Sequence, residues 1–186
     1  MVNPAPRAAT YADLEALPEH LVGEIIDGEL IASPFGGSLH ALASTVLGAE
    51  LGRAFCCGLG GPGGWIILDE PELHLSGNVL VPDLAGWRRT TLPELPDAPN
   101  FTVRPDWACE ILSPSTAVLD RHRKLPIYAK EGVGHVWLVD PKAQLLEIFR
   151  LDGETYRAVA SFAEDENIRA EPFDAIELEL GALWAR

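Results

Sequence analysis

Positive charge is scarce in this chain. Of 186 residues only 14 are Lys or Arg, against 28 Asp or Glu, for a net charge of −14. Just three are lysines: Lys124, Lys130 and Lys142. A protein that grips long duplex DNA neutralises many phosphates with a basic face, so strong extended binding of that kind is excluded. Cysteine is also rare. Cys56 and Cys57 are adjacent and Cys109 stands alone, which gives neither a disulfide framework nor metal-ligand spacing. That usage fits a reducing, cytoplasmic setting. No apolar run is long enough to span a bilayer, so no membrane partner is expected. Met1 to Thr10 holds one arginine and no apolar core, unlike a signal peptide. No internal repeat and no linker divides the chain, so residues 1–186 are read as one domain.

The pattern of apolar residues is that of an α/β protein. Thr10 to Glu15 reads as a short capped helix that ends before Pro18. Gly23 to Ile31 reads as a strand, an Asp27-Gly28 turn and a second strand. Residues 39–55 are helical, with Leu39, Leu42, Val46 and Leu47 near a 3.6 period. The glycine-rich stretch 58–64 lacks the lysine of a phosphate loop and reads as a flexible turn. Strands are expected over Trp65–Leu75, Val79–Trp87, Trp107–Leu112, His135–Asp140, Leu145–Arg150 and Thr155–Ala160. A second helix is expected over 120–131, with a break or fresh start near Lys124 because of Pro126.

Charge is uneven along this chain. Residues 147–180 hold ten acids against Arg150, Arg157 and Arg169, whereas 113–130 hold Arg121, Arg123, Lys124 and Lys130 against Asp120 alone. Just ahead of that basic stretch, Asp83 and Glu110 each close an apolar segment. Alternation puts Ala108, Glu110 and Leu112 on one strand face and Trp107, Cys109 and Ile111 on the other. An ionised Glu110 in so apolar a strand needs compensation. A metal or a basic partner supplies it, unless the side chain reaches solvent at the strand end; periodicity alone leaves these readings open. Pro82-Asp83 taken alone is turn chemistry. Asp83 and Glu110 together form a pair of hard oxygen donors suited to Mg²⁺ or Mn²⁺. Asp106 shares the face of Glu110 but sits roughly 13 Å along the strand, too far for one ion. Asp120 reads as the start of the basic helix.

Several motifs in order resemble the Uma2 family, restriction-endonuclease-like domains related to the PD-(D/E)XK nucleases. They are Glu24 with Asp27-Gly28-Glu29-Leu30, His40 opening a helix, Pro82-Asp83, Glu110-Ile111-Leu112-Ser113-Pro114-Ser115, Asp120 with Lys124, Tyr128, Gly132-Val133, and Val136 to Pro141. The resemblance implies a restriction-endonuclease-like core: a mixed β-sheet flanked by helices, with an N-terminal helix and β-hairpin added. It implies that Asp83 and Glu110 bind the metal and that Glu110 opens the (D/E)XK element. The lysine position of that element is Leu112 here, and the family pattern implies that Lys124 on the following helix takes its role. It raises Glu24 and His40 as residues behind the metal ligands.

The expected function is therefore a Mg²⁺- or Mn²⁺-dependent DNA endonuclease that hydrolyses phosphodiesters, with Asp83, Glu110 and Lys124 as its catalytic set. Binding to DNA is expected to be weak, and a homodimer is possible in an enzyme that cuts both strands. Lys124 is expected to be an exposed helix residue whose loss leaves stability nearly unchanged. The rival is a non-catalytic interaction module that keeps the fold; the net charge and the missing lysine at 112 favour it. Hydrolysis of a small phosphoester is a third, weaker reading.

Overall fold

A computed structural model describes residues 7–184. The reading of the first ten residues as no signal peptide therefore falls largely outside the described part. The chain opens with helix α1 (Tyr11–Glu15), where the backbone N–H of Thr10 donates to Asp13 Oδ2 at 2.8 Å. Strands β1 (Leu21–Ile26) and β2 (Glu29–Pro34) form an antiparallel hairpin. Its two turn residues, Asp27 (φ 52°) and Gly28 (φ 78°), are both left-handed, as a type I′ turn requires.

Helix α2 (Ser38–Leu51) follows and runs on into a π-helical turn, Gly52–Cys56. Then come β3 (Trp65–Asp69), β4 (Leu73–Leu75), β5 (Asn78–Leu80), β6 (Leu84–Arg88) and β7 (Trp107–Ile111). A continuous helical stretch contains α3 (Ala117–Leu119), a π-turn at Asp120–Lys124, and α4 (Leu125–Lys130). β8 (His135–Asp140), β9 (Leu145–Asp152), β10 (Thr155–Ala163), β11 (Asn167–Ile168) and β12 (Leu178–Glu179) complete the strands.

Six strands make the main sheet, in the order β10-β9-β8-β7-β6-β3. β7 and β8 are parallel and the other pairs antiparallel, so the sheet is mixed. The helical stretch 117–130 is the crossover that a parallel β7–β8 pair needs. A smaller sheet has the order β2-β1-β5-β4.

Two expected strands are in fact two pairs. Trp65–Leu75 divides into β3 and β4, and Val79–Trp87 into β5 and β6; in each case one half lies in each sheet. Pro82 has no N–H to continue a ladder, so the second crossing falls at Val81–Asp83. The fresh start expected near Lys124 takes the form of a π-turn within a continuous helical stretch, and Pro126 sits in the first turn of α4 just after it. That wider turn relieves the clash between the Pro126 ring and the carbonyl four residues earlier.

The alternation along β7 and β8 separates two cores. On one face Trp107, Cys109, Ile111, Trp137 and Val139 pack with Leu47 and Leu51 of α2 and with Phe173, Leu180 and Trp184. Phe173 meets the rings of Phe55, Trp65, Trp107 and Trp137 at centroid distances of 4.7, 4.8, 4.9 and 5.5 Å. On the other face Ala108, Leu112, Val136 and Leu138 pack with Leu125, Ile127 and Tyr128 of α4 and with Leu73, Leu75 and Leu80 of the smaller sheet. Glu110 belongs to this second face, between the helix and the sheet crossings.

Candidate functional site

The site forms where the chain crosses between the sheets. Backbone groups freed at Val81–Asp83 are taken up by site side chains. The Val81 N–H donates to Glu24 Oε1 at 2.8 Å, and the Val81 carbonyl accepts from Lys124 Nζ at 3.3 Å. Asp83 stands just ahead of β6, and its Oδ2 accepts the Ile111 N–H at 2.6 Å. This contact fixes the Asp83 carboxylate beside the end of β7, one residue from Glu110. The other crossing, between β3 and β4, begins at Glu70, whose N–H donates to the Asp83 carbonyl at 3.1 Å. Glu70 has φ 43°, a left-handed value uncommon for a residue with a side chain.

Glu110 is 2% exposed, Lys124 3%, Asp120 3% and Glu24 4%; these are the buried charged residues of the described chain. Lys124 Nζ donates to Glu110 Oε2 at 2.9 Å and lies 2.9 Å from Glu24 Oε1 and 3.6 Å from Asp120 Oδ1. The Tyr128 hydroxyl donates to Glu110 Oε1 at 2.6 Å. On the open side, His40 Nε2 donates to Asp83 Oδ1 at 2.9 Å. The π-turn contributes Asp120 and Lys124, and α4 contributes Tyr128 one turn later. Glu24, Glu70, Asp83, Glu110, Asp120, His40 and Lys124 line a single cleft of about 50 Å³.

The electrostatics follow from burial and crowding. Burial acts to lower the Lys124 pKa, but Glu110, Glu24 and Asp120 outweigh it and hold the ammonium charged. Burial pushes Glu110 well above the ordinary carboxylate range; Lys124 opposes this, while Asp120, Asp83 and Glu24 add to it. Burial likewise raises Asp120 to about 6, again against Lys124. Glu70 is raised by burial and by Asp83. The His40 pKa is raised chiefly by its hydrogen bond to Asp83, which outweighs burial. Tyr128 is pushed well up by burial and by Glu110, so it remains a hydroxyl donor.

The donor chemistry can be tested against a divalent cation. Five carboxylates share one cleft with one ammonium, so negative charge is in excess even if His40 is protonated. Carboxylate oxygens are the donors that Mg²⁺ and Mn²⁺ prefer. Asp83 and Glu110 fit as ligands, with Glu70 as a further carboxylate at the cleft. The coordination set is not gathered in advance. Among the described residues no group of three His, Cys, Asp or Glu side chains is arranged to hold an ion. The reason is visible: Lys124 and Tyr128 fill the two oxygens of Glu110, and His40 and the Ile111 N–H fill those of Asp83.

All five residues singled out from the sequence line this cleft: Asp83, Glu110, Lys124, Glu24 and His40. One detail differs from expectation. Lys124 is buried, not an exposed helix residue, because three carboxylates compensate its charge. Glu24 contacts Lys124 directly. Asp106, set aside from the sequence, accepts the Arg88 N–H at 2.7 Å and the Thr91 hydroxyl at 3.0 Å, away from this cluster. Asp120 does more than start a helix, and Tyr128 had no role beyond its motif. The excess of acids near Pro71 held no signal for Glu70, since only the left-handed turn brings it back over Asp83.

The match to a family profile decides the affiliation: residues 8–181 fit Uma2, described as "Putative restriction endonuclease". The chain belongs to the Uma2 family. Among solved structures it is similar to a crystal structure titled a "putative nuclease belonging to DUF820" from Anabaena variabilis. The TM-score is 0.76 at 21% identity, covering 95% of this chain and 98% of that one. The likeness establishes a shared fold over nearly the whole Uma2 chain. Comparison with curated proteins finds no match. No helix among the described residues is long and apolar enough to cross a membrane.

Proposed function

We propose that this Uma2 protein is a metal-dependent DNA endonuclease that hydrolyses phosphodiester bonds. The observation that carries the reading is the buried contact of Glu110 with Lys124 beside Asp83, in a cleft with more carboxylates than cations. Burying that much like charge is costly, and the fold retains it at the mouth of a cleft rather than replacing it with apolar residues.

Asp83 and Glu110 would hold Mg²⁺ or Mn²⁺. When bound, the ion would lower the pKa of a water and polarise the phosphoryl oxygen. The chain's own residues do the rest. The Ile111 N–H orients Asp83 through Oδ2, and His40 orients it through Oδ1. Tyr128 holds Glu110 through Oε1 and keeps its remaining oxygen facing Lys124. Lys124, kept protonated by Glu110, Glu24 and Asp120, supplies positive charge to a phosphate oxygen as charge develops there. The lysine would thus act from the helix, while Leu112 at the usual lysine position stays packed in the core.

One observation favours the rival, a non-catalytic module. Lys124 already sits among the carboxylates as their counter-ion, so the apo cluster is self-satisfied. The deciding experiment is hydrolysis by purified protein. Cleavage of plasmid or single-stranded DNA in millimolar Mn²⁺ that stops with EDTA supports the nuclease. No cleavage in Mn²⁺ or Mg²⁺, with no change of melting temperature on adding either ion, supports the module.

A further inference from the structure

The proposed nuclease still lacks an account of how so acidic a protein holds nucleic acid. The basic residues nearest the site do not provide it. Arg121 is paired with Glu147, and Arg123 Nη1 donates to Glu29 Oε2 at 2.7 Å while its Nη2 donates to the Ile26 carbonyl at 2.8 Å. Arg121 and Arg123 of the basic stretch legible in the sequence are therefore spent on ion pairs within the fold, and Lys124 is buried. No stripe of free cations flanks the cleft through these residues to track a duplex backbone.

The lip of the cleft carries a different kind of contact. Phe35 lines the same cleft as Asp83, Glu110 and Lys124, yet its side chain is 56% exposed. It lies in the Phe35-Gly36-Gly37 loop between β2 and α2. That loop is packed onto the catalytic side of the molecule. A Cβ on Gly36 would come within 2.3 Å of the His40 ring, which no side chain tolerates. Gly36 thus lets the backbone press against His40, itself bonded to Asp83, and this holds Phe35 at the cleft mouth. Leu39, 44% exposed, follows in the first turn of α2. Phe35 thus presents an aromatic ring largely in water at the lining of a polar, acidic cleft.

We infer that Phe35 is a stacking platform for a nucleobase next to the scissile phosphate, and that the substrate is single-stranded DNA. Stacking on an aromatic face needs no phosphate neutralisation and is open only to an unpaired base. It supplies affinity to a protein whose net charge of −14 repels the backbone. A paired duplex hides those faces and offers only its phosphates. This inference rests on the nuclease reading and narrows its substrate.

The test measures binding by fluorescence anisotropy in Ca²⁺ and cleavage in Mn²⁺. The probes are a labelled single strand of about 12 nucleotides and a hairpin duplex of the same composition. The single strand is expected to bind at least about 10-fold more tightly than the hairpin. Phe35→Ala and Phe35→Leu should each raise its Kd about 10-fold, while Phe35→Trp keeps it. Melting temperatures should not move, because Phe35 is exposed. The inference is overturned if Phe35→Ala stays within about twofold of wild type, if Leu serves as well as Phe, if the hairpin binds equally, or if neither probe binds. The nuclease reading fails separately, when wild type cleaves neither probe more than Glu110→Ala does. Equal cleavage of both probes, unaffected by Phe35→Ala, sinks the stacking inference and leaves the nuclease standing.

Discussion

Lys124 Nζ lies 2.9 Å from Glu110 Oε2, although the two residues are fourteen positions apart and on different elements. The contact joins the end of β7 to the π-turn that precedes α4. It also makes each residue the condition for burying the other.

Removal of Lys124 should therefore be felt in folding. Lys124→Ala leaves Glu110, Glu24 and Asp120 buried without their counter-charge. Breaking a buried pair by removing one partner costs about 3–5 kcal/mol. Urea denaturation is the measurement, with Lys130→Ala, an exposed position in the same helix, as control. A loss below about 1 kcal/mol for Lys124→Ala would mean that the cluster simply takes up protons instead.

Tyr128→Phe removes the hydroxyl that donates to Glu110 Oε1 and keeps the ring. A buried acceptor left unsatisfied costs about 1–3 kcal/mol. The same change raises the Glu110 pKa further, so any cleavage activity should need a higher pH than wild type does. A pH–rate profile that does not move would argue that Tyr128 has no hold on Glu110.

Divalent cations should stabilise the protein. At about 100 times its Kd a ligand adds about 2.7 kcal/mol, or roughly 5–10 °C in melting temperature for a chain of this size. Asp83→Ala should abolish the gain and Glu70→Gln should reduce it. Identical melting curves in EDTA and in Mn²⁺ would remove the metal from the account.

Asp120 gives the apo protein a pH dependence. Its folded pKa of about 6 lies above the ordinary 3.8. The folded state thus binds the proton more tightly than the unfolded chain does. The associated stability is complete below 3.8 and is lost as pH rises through about 6. The rise corresponds to about 3 kcal/mol. In EDTA, wild type should lose that stability between about pH 3 and pH 7, with roughly 1–1.5 kcal/mol of it going between pH 5 and pH 7. Asp120→Asn should flatten the slope. Stability that grows over that window would reverse the sign argued here.

The fold was largely legible because its local signals agree with its contacts. The type I′ turn at Asp27-Gly28, the two-faced alternation of Trp107 to Leu112 and the strand at His135–Asp140 all stand where periodicity and turn chemistry put them. The sheet crossings were not legible. Val79 to Trp87 reads as one apolar run, and only tertiary pairing shows that β5 and β6 belong to different sheets. The helix through Pro126 and its irregularity near Lys124 were legible, but the form of that irregularity was not, because a π-turn has no sequence signal of its own. At the site, Asp83, Glu110 and Lys124 were found through motif order. Their burial was not, since a basic cluster reads as a solvated face until its acidic partners from distant segments are seen. Glu70 depends on a backbone angle that composition does not encode.

The most direct test of the account is nicking of single-stranded circular DNA in Mn²⁺ by wild type and by Glu110→Gln, purified identically and checked for folding by melting temperature. The account predicts nicking by wild type that EDTA stops, and a fall of about 10²-fold or more in folded Glu110→Gln. Equal nicking by the two proteins would contradict it.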